Sequence, residues 1–240
     1  MDSILKIRNL SFSFGPKIIF QGINLDLMPL DSYAVWGPSG VGKSTLLKIV
    51  AGLIPSIEGS IRIEGVEVSS ASQRVWQDFR VRLSLVSQEG ALISNMSIYD
   101  NIALPLRYHT RVGEEEVAKR IGALMTTLGI DREADRVIPA LAPTGVRKLA
   151  AIARALILEP SLLLLDEPTA GLEETAGRRV IQTLKAYQKK RGAALLLATL
   201  DAALAGSLAN RLGLLRKSGI VLEGPPSEIL GKITKEEIES

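Results

Sequence analysis

Gly37-Pro38-Ser39-Gly40-Val41-Gly42-Lys43-Ser44-Thr45 satisfies the pattern G-x-x-x-x-G-K-[ST] at every fixed position. A glycine-rich turn of this kind points successive main-chain N–H groups at an anion, and the helix that follows adds the positive end of its dipole. Gly37, Gly40 and Gly42 supply the backbone freedom, while Pro38, Ser39 and Val41 fill the variable positions. Lys43 is expected on the β- and γ-phosphates of a nucleoside triphosphate, the Ser44 hydroxyl on Mg²⁺, and Thr45 beside the phosphates. The pattern needs a strand before it and a helix after it. Tyr33-Ala34-Val35-Trp36 is a short apolar run, and Ser44 to Gly52 carries Leu46, Leu47, Ile49 and Val50 at helical spacing with Gly52 as a stop.

A second stretch, Ser161-Leu162-Leu163-Leu164-Leu165-Asp166-Glu167-Pro168, reads as a buried strand that delivers two carboxylates at its end. Asp166 is expected to hold Mg²⁺ through its water shell. Glu167 beside it is placed to polarise the water that attacks the γ-phosphate. The alternative is a surface Asp-Glu turn after a core strand. Leu83 to Ser87 forms another apolar strand that runs straight into Gln88, an amide able to reach Mg²⁺ or the attacking water. Phe14, just ahead of the Gly15-Pro16 turn, is a candidate for stacking on a purine base; an aromatic in a strand can equally be core.

With 240 residues, 46% hydrophobic and 23% charged, the chain is long enough for a sizeable core and unlike a disordered one. It has no cysteine, which removes disulfides and thiolate metal sites. Met1-Asp2-Ser3-Ile4-Leu5-Lys6 opens with an early acid and no long apolar run, so export is not expected. Ala150 to Leu158 and Ala193 to Leu200 are too short to span a bilayer and read as core. A net charge of +3, with basic residues in short clusters such as Arg147-Lys148 and Lys189-Lys190-Arg191, does not support a nucleic-acid partner.

In chain order the pattern has three parts. Alternating residues over Ile4 to Arg8, then after a break over Ser11 to Phe14, and after the Gly15-Pro16 turn over Ile18 to Leu27, predict antiparallel strands. From about residue 94 to 158 helices dominate: Ile98 to Leu104, Glu114 to Leu128 with Gly129 as its stop, and one from near Gly145 to Glu159. Beyond that, strands at 161–166, 193–198, 211–215 and 220–223 alternate with helices at 173–190, 202–208 and about 226–230, which predicts a parallel, doubly wound sheet. The expected organisation is one domain over 1–240, with residues 1–93 and 159–240 forming the core and about 94–158 a helical subdomain.

Taken together, these features resemble the ATP-binding subunits of ABC transporters over nearly the whole chain. The order is that family's: phosphate loop, Gln88 after a strand, helical segment, the A-R-A-L helix at Ala153 to Leu156, then L-L-L-L-D-E-P-T. Ser87 to Leu92, with Asn101, Pro105-Leu106-Arg107 and His109, is similar to the ATPases that work with MCE proteins in bacterial phospholipid transport, the Mla type. The resemblance implies an α/β P-loop fold of ABC type, a mixed core sheet with antiparallel β and helical subdomains. It also implies a dimer, homo- or heteromeric, that sandwiches ATP and Mg²⁺, and a separate transmembrane permease with an MCE protein as further partner. The location it implies is peripheral, at the cytoplasmic face of the inner membrane. Leu92, Ile93 and Met96 would line a permease-docking groove or simply belong to the core.

Three places depart from the family. An ungapped alignment through the A-R-A-L helix puts Ala142-Pro143-Thr144-Gly145-Val146 where the family has L-S-G-G-Q or L-S-G-G-M. That replacement removes a serine hydroxyl, and Pro143 has no N–H to offer. Where the family usually places a histidine on the γ-phosphate, this chain has Leu200, and the acid of the next switch is Glu173 in Ala170-Gly171-Leu172-Glu173. Loss of one preorganised donor typically costs about 10² to 10³ in rate, so the expectation is an ATPase with slow turnover. The alternative is a catalytically degenerate nucleotide-binding subunit with a regulatory or structural role.

Overall fold

The computed structural model describes residues 2–55 and 58–232; Met1, residues 56–57 and 233–240 of the expected single unit lie outside the described residues. Strand β1 (Leu5–Phe14) pairs antiparallel with β2 (Lys17–Leu27) across the Gly15-Pro16 turn. The break expected inside the first segment is absent. β1 runs unbroken and absorbs the irregular pattern near Asn9 and Leu10 as register shifts against β2, with Asn9 at positive φ. With β4 (Glu58–Ile63) and β5 (Val66–Glu67) these strands complete a four-stranded antiparallel sheet in the order β2-β1-β4-β5.

The second sheet contains β3 (Ser32–Trp36), β6 (Leu83–Val86), β7 (Leu162–Asp166), β8 (Ala194–Thr199), β9 (Arg211–Arg216) and β10 (Gly219–Gly224) in the order β10-β9-β3-β8-β7-β6. All neighbours pair parallel except β9 and β10. Inner strands β3, β7 and β8 are near-continuous apolar runs because helices or the other sheet cover both faces, whereas the edge strand β10 alternates with exposed Val221 and Glu223. Alternation divides the inner strands: Leu163, Leu165, Leu195 and Leu197 face one core, and Leu162, Leu164, Leu196 and Ala198 the other. The second core also takes Leu46, Leu47 and Val50 of α1 (Lys43–Val50) together with Ile7, Phe20 and Ile61 of the antiparallel sheet.

Between β6 and β7 lie α3 (Ile98–His109), α4 (Glu114–Leu128) and α5 (Thr144–Leu156), packed through Ile102, Leu106, Val117, Ile121 and Ile152. α3 continues past Leu104 through Pro105, because fully buried Leu106 anchors its last turn. Helix α2 (Gln73–Phe79) was not legible as a helix. After β7 come α6 (Glu174–Arg191), α7 (Ala202–Leu208) and α8 (Pro226–Lys232). The consequence for function is topological. The loops after β3, β6, β7 and β8 all leave from carboxyl ends of parallel strands, the edge at which open α/β sheets place ligands.

Candidate nucleotide site

The loop after β3 opens at Gly37, where an added Cβ would stand 2.7 Å from the Leu215 carbonyl oxygen, so only glycine fits against β9. It closes at Gly42, which starts α1 with φ 109°, and a Cβ there would meet Ile19 at 2.4 Å. The turn from strand to helix is therefore sterically committed to glycine. Gly42 O accepts from Leu46 N at 2.9 Å, so the helix begins at the loop's last glycine.

Lys43 is only 8% exposed, and its ammonium donates to Gly37 O at 2.7 Å and Pro38 O at 2.9 Å. Burial pushes its pKa below the ordinary lysine value, while Glu167 and Asp166 pull it back up. Ser44 Oγ donates to Asp166 Oδ1 at 3.0 Å, joining residues 122 positions apart. Asp166 is 5% exposed at the end of β7. A hydroxyl and one carboxylate, with Gln88 lining the same cleft, suit Mg²⁺, which keeps waters and takes phosphate oxygens rather than an all-protein cage. Among the described residues no group of three or more His, Cys, Asp or Glu forms an alternative cage.

The cleft has a volume of about 350 Å³ and brings Phe14, Ser39, Gly40, Gly42, Lys43, Ser44 and Thr45 together with Gln88, Asp166 and Glu167. Pro38 and Val41 lie outside it, on an adjoining cleft beside β9 and β10. Of the two readings of Phe14, the structure has the exposed one: the ring is 54% exposed, and Phe12 occupies the core beneath it, 4.8 Å away and edge-on. Leu200 also lines the cleft and is 44% exposed.

Glu167 adopts φ 46° directly after β7. Its N–H donates to Ala198 O at 3.0 Å, and its carboxylate accepts from Thr199 Oγ1 at 2.8 Å and from Leu200 N at 2.7 Å. Lys148 is buried on α5 and bridges the loops that carry Gln88 and Glu167, donating to the main-chain oxygens of both. Burial lowers its pKa, with Asp166 and Glu167 opposing the shift. Sequence reasoning took Lys148 for part of a basic cluster and passed over Thr199. The available signal was a lysine within the apolar face Leu149-Ala150-Ile152-Ala153.

The divergent segment Ala142 to Val146 sits at the start of α5: Ala142 is buried, Pro143 precedes the helix, and Thr144 Oγ1 accepts from Arg147 Nη2 at 3.0 Å. Leu141 beside it is 77% exposed. Of the two readings of the segment after Gln88, Leu92 follows the core one, while Ile93 is 38% exposed. A nearby apolar groove of about 350 Å³ is lined by Leu85, Leu104, Pro105, Tyr108 and Leu158. Arg154 lies in that groove and donates to Gly90 O and Ala91 O, both at 3.0 Å, just beyond Gln88.

A family model described as "ABC transporter" matches residues 20–170. The Escherichia coli (strain K12) protein named "Intermembrane phospholipid transport system ATP-binding protein MlaF" is 30% identical over 92% of this chain and 82% of its own length. A Mycobacterium leprae protein named "Probable ribonucleotide transport ATP-binding protein mkl" is 31% identical over 96% of this chain, which spans only 66% of that relative. Among solved structures, a dimeric ATP-binding cassette in a post-hydrolysis state with ADP and Pi is 26% identical, with TM-score 0.86 over 92% of this chain and 98% of that one. Another is cbiO1 from Clostridium perfringens, part of an ABC transporter complex, 26% identical with TM-score 0.82 over 97% of this chain and 92% of that one.

Proposed function

Because the chain belongs to the ABC transporter family, we propose that it is the ATP-binding subunit of a transporter that moves lipid through a separate membrane permease. The observation that carries the nucleotide part is the 3.0 Å contact of Ser44 with Asp166 beneath buried Lys43. Gly37 to Thr45 cradles the phosphates, and Phe14 stacks on the base. Ser44, Asp166 and Gln88 would hold Mg²⁺ brought with the nucleotide, which would supply charge neutralisation at the phosphate oxygens. Glu167 takes the proton from the attacking water.

Lipid is preferred over ribonucleotide as cargo because the phospholipid-transport relative aligns over more of its own length, 82% against 66%. The partners are a permease, seated in the groove whose Arg154 holds Gly90 and Ala91 just beyond Gln88, a second ATPase subunit and an MCE protein. Among the described residues no helix is long and apolar enough to cross a membrane. Membership of the ABC transporter family supports a peripheral subunit at the cytoplasmic face of the inner membrane, held there by its permease.

Pro143 and Leu200 favour a second reading, a subunit whose nucleotide-dependent pairing matters more than its turnover. The two separate on one comparison, ATP hydrolysis by the membrane complex recovered with the tagged full chain. Glu167→Gln is expected to lower the rate by at least about 10²-fold while ATP binding persists. Equal rates for wild type and variant would favour the second reading, and recovery without any permease would count against both.

A further inference from the structure

Both oxygens of the Glu167 carboxylate have a protein donor, one from the last residue of β8 and one from the turn that follows it. Thr199 is fully buried, and its Oγ1 accepts from Asp201 N at 2.9 Å, which commits its single proton to Glu167 Oε2 at 2.8 Å. Leu200 N donates to Oε1 at 2.7 Å. The turn itself is braced on both sides. Trp36 Nε1 donates to Leu200 O at 3.1 Å, and Asp201 Oδ1 caps α7 through Ala203 N at 2.8 Å and Leu204 N at 3.1 Å. The apolar Leu200 side chain makes none of these contacts; its main chain makes two.

We propose that Thr199 is a positioning residue whose hydroxyl, with the Leu200 main-chain N–H, fixes the Glu167 carboxylate in the cleft, so that position 200 needs no polar side chain for this task. The inference rests on the assignment of Glu167 as the water-activating base. A carboxylate gripped at both oxygens loses its rotation about the terminal bond, yet each oxygen keeps a lone-pair direction for water. Without the Thr199 hydroxyl the group swings about the single remaining donor.

The test uses the full chain in its membrane complex with Thr199→Val and Thr199→Ser. Misplacement of a reacting group lowers kcat by about 10- to 100-fold in the valine variant, with ATP Kd within about 2-fold of wild type. The serine variant keeps the hydroxyl and stays within about 3-fold of wild-type kcat. Valine at the wild-type rate, serine as slow as valine, or Kd rising in step with the fall in kcat would each overturn the inference. A denaturant double-mutant cycle between Thr199→Val and Glu167→Ala reads the contact without turnover, and non-additive midpoints are expected. Additive midpoints in a hydrolysing protein remove this inference alone, whereas a wild type without hydrolysis removes the base assignment and the inference with it.

Discussion

Gly42 is one of two phosphate-loop glycines, with Gly37, where a close neighbour leaves no room for a Cβ. Its φ of 109° and the 2.4 Å approach of Ile19 to a virtual Cβ leave a side chain neither a conformation nor a space. Gly42→Ala is expected to cost about 1–3 kcal/mol of stability from the backbone alone and to abolish ATP binding, read by thermal melting with and without Mg-ATP. An alanine variant that melts and binds like wild type would mean that the loop relaxes freely. At this scale the sequence was legible wherever a residue type has one plausible task in a fixed spacing: Lys43, Ser44 and Asp166 all meet. Thr199 and Lys148 were not, because their partners are main-chain atoms and the carboxylate of Glu167, brought in from other strands and loops. The apolar helix face around Lys148 signals its burial, but no pattern within either segment names these partners.

The elements between β6 and β7 depend on polar hubs as much as on their apolar faces. Asn101 is fully buried: its amide donates to Ile93 O, Met96 O and Ser97 O, and its oxygen accepts from Ile93 N at 2.7 Å. Arg154 holds the next stretch toward Gln88. Asn101→Leu strands several buried main-chain groups at once and is expected to lower unfolding free energy by about 2–4 kcal/mol in urea, without touching the phosphate loop. A loss below about 0.5 kcal/mol, the size of an ordinary surface change, would contradict that hub role. In the sequence Asn101 was only a marker of resemblance, since its partners lie four to eight residues upstream in an irregular loop. α3 was likewise read short at Leu104: a proline predicts a helix end from local chemistry, and the burial of Leu106 overrides it.

For the whole molecule, the order β10-β9-β3-β8-β7-β6 assembles the site from four strand ends. The alternation of strands and helices made that sheet legible, because its inner strands β3, β7 and β8 are covered on both faces and nearly all apolar. The lost γ-phosphate donors at Pro143 and Leu200 leave the phosphate loop itself intact, so nucleotide binding is the firmest consequence of the structure and turnover the one most exposed to those changes. The direct measurement is calorimetric titration of Mg-ATP into the full chain and into Lys43→Ala. Removal of a charge-assisted contact worth about 1.5–3 kcal/mol predicts binding by the wild type and a 10- to 100-fold weaker affinity in the variant. Equal affinity in the two proteins would contradict the account.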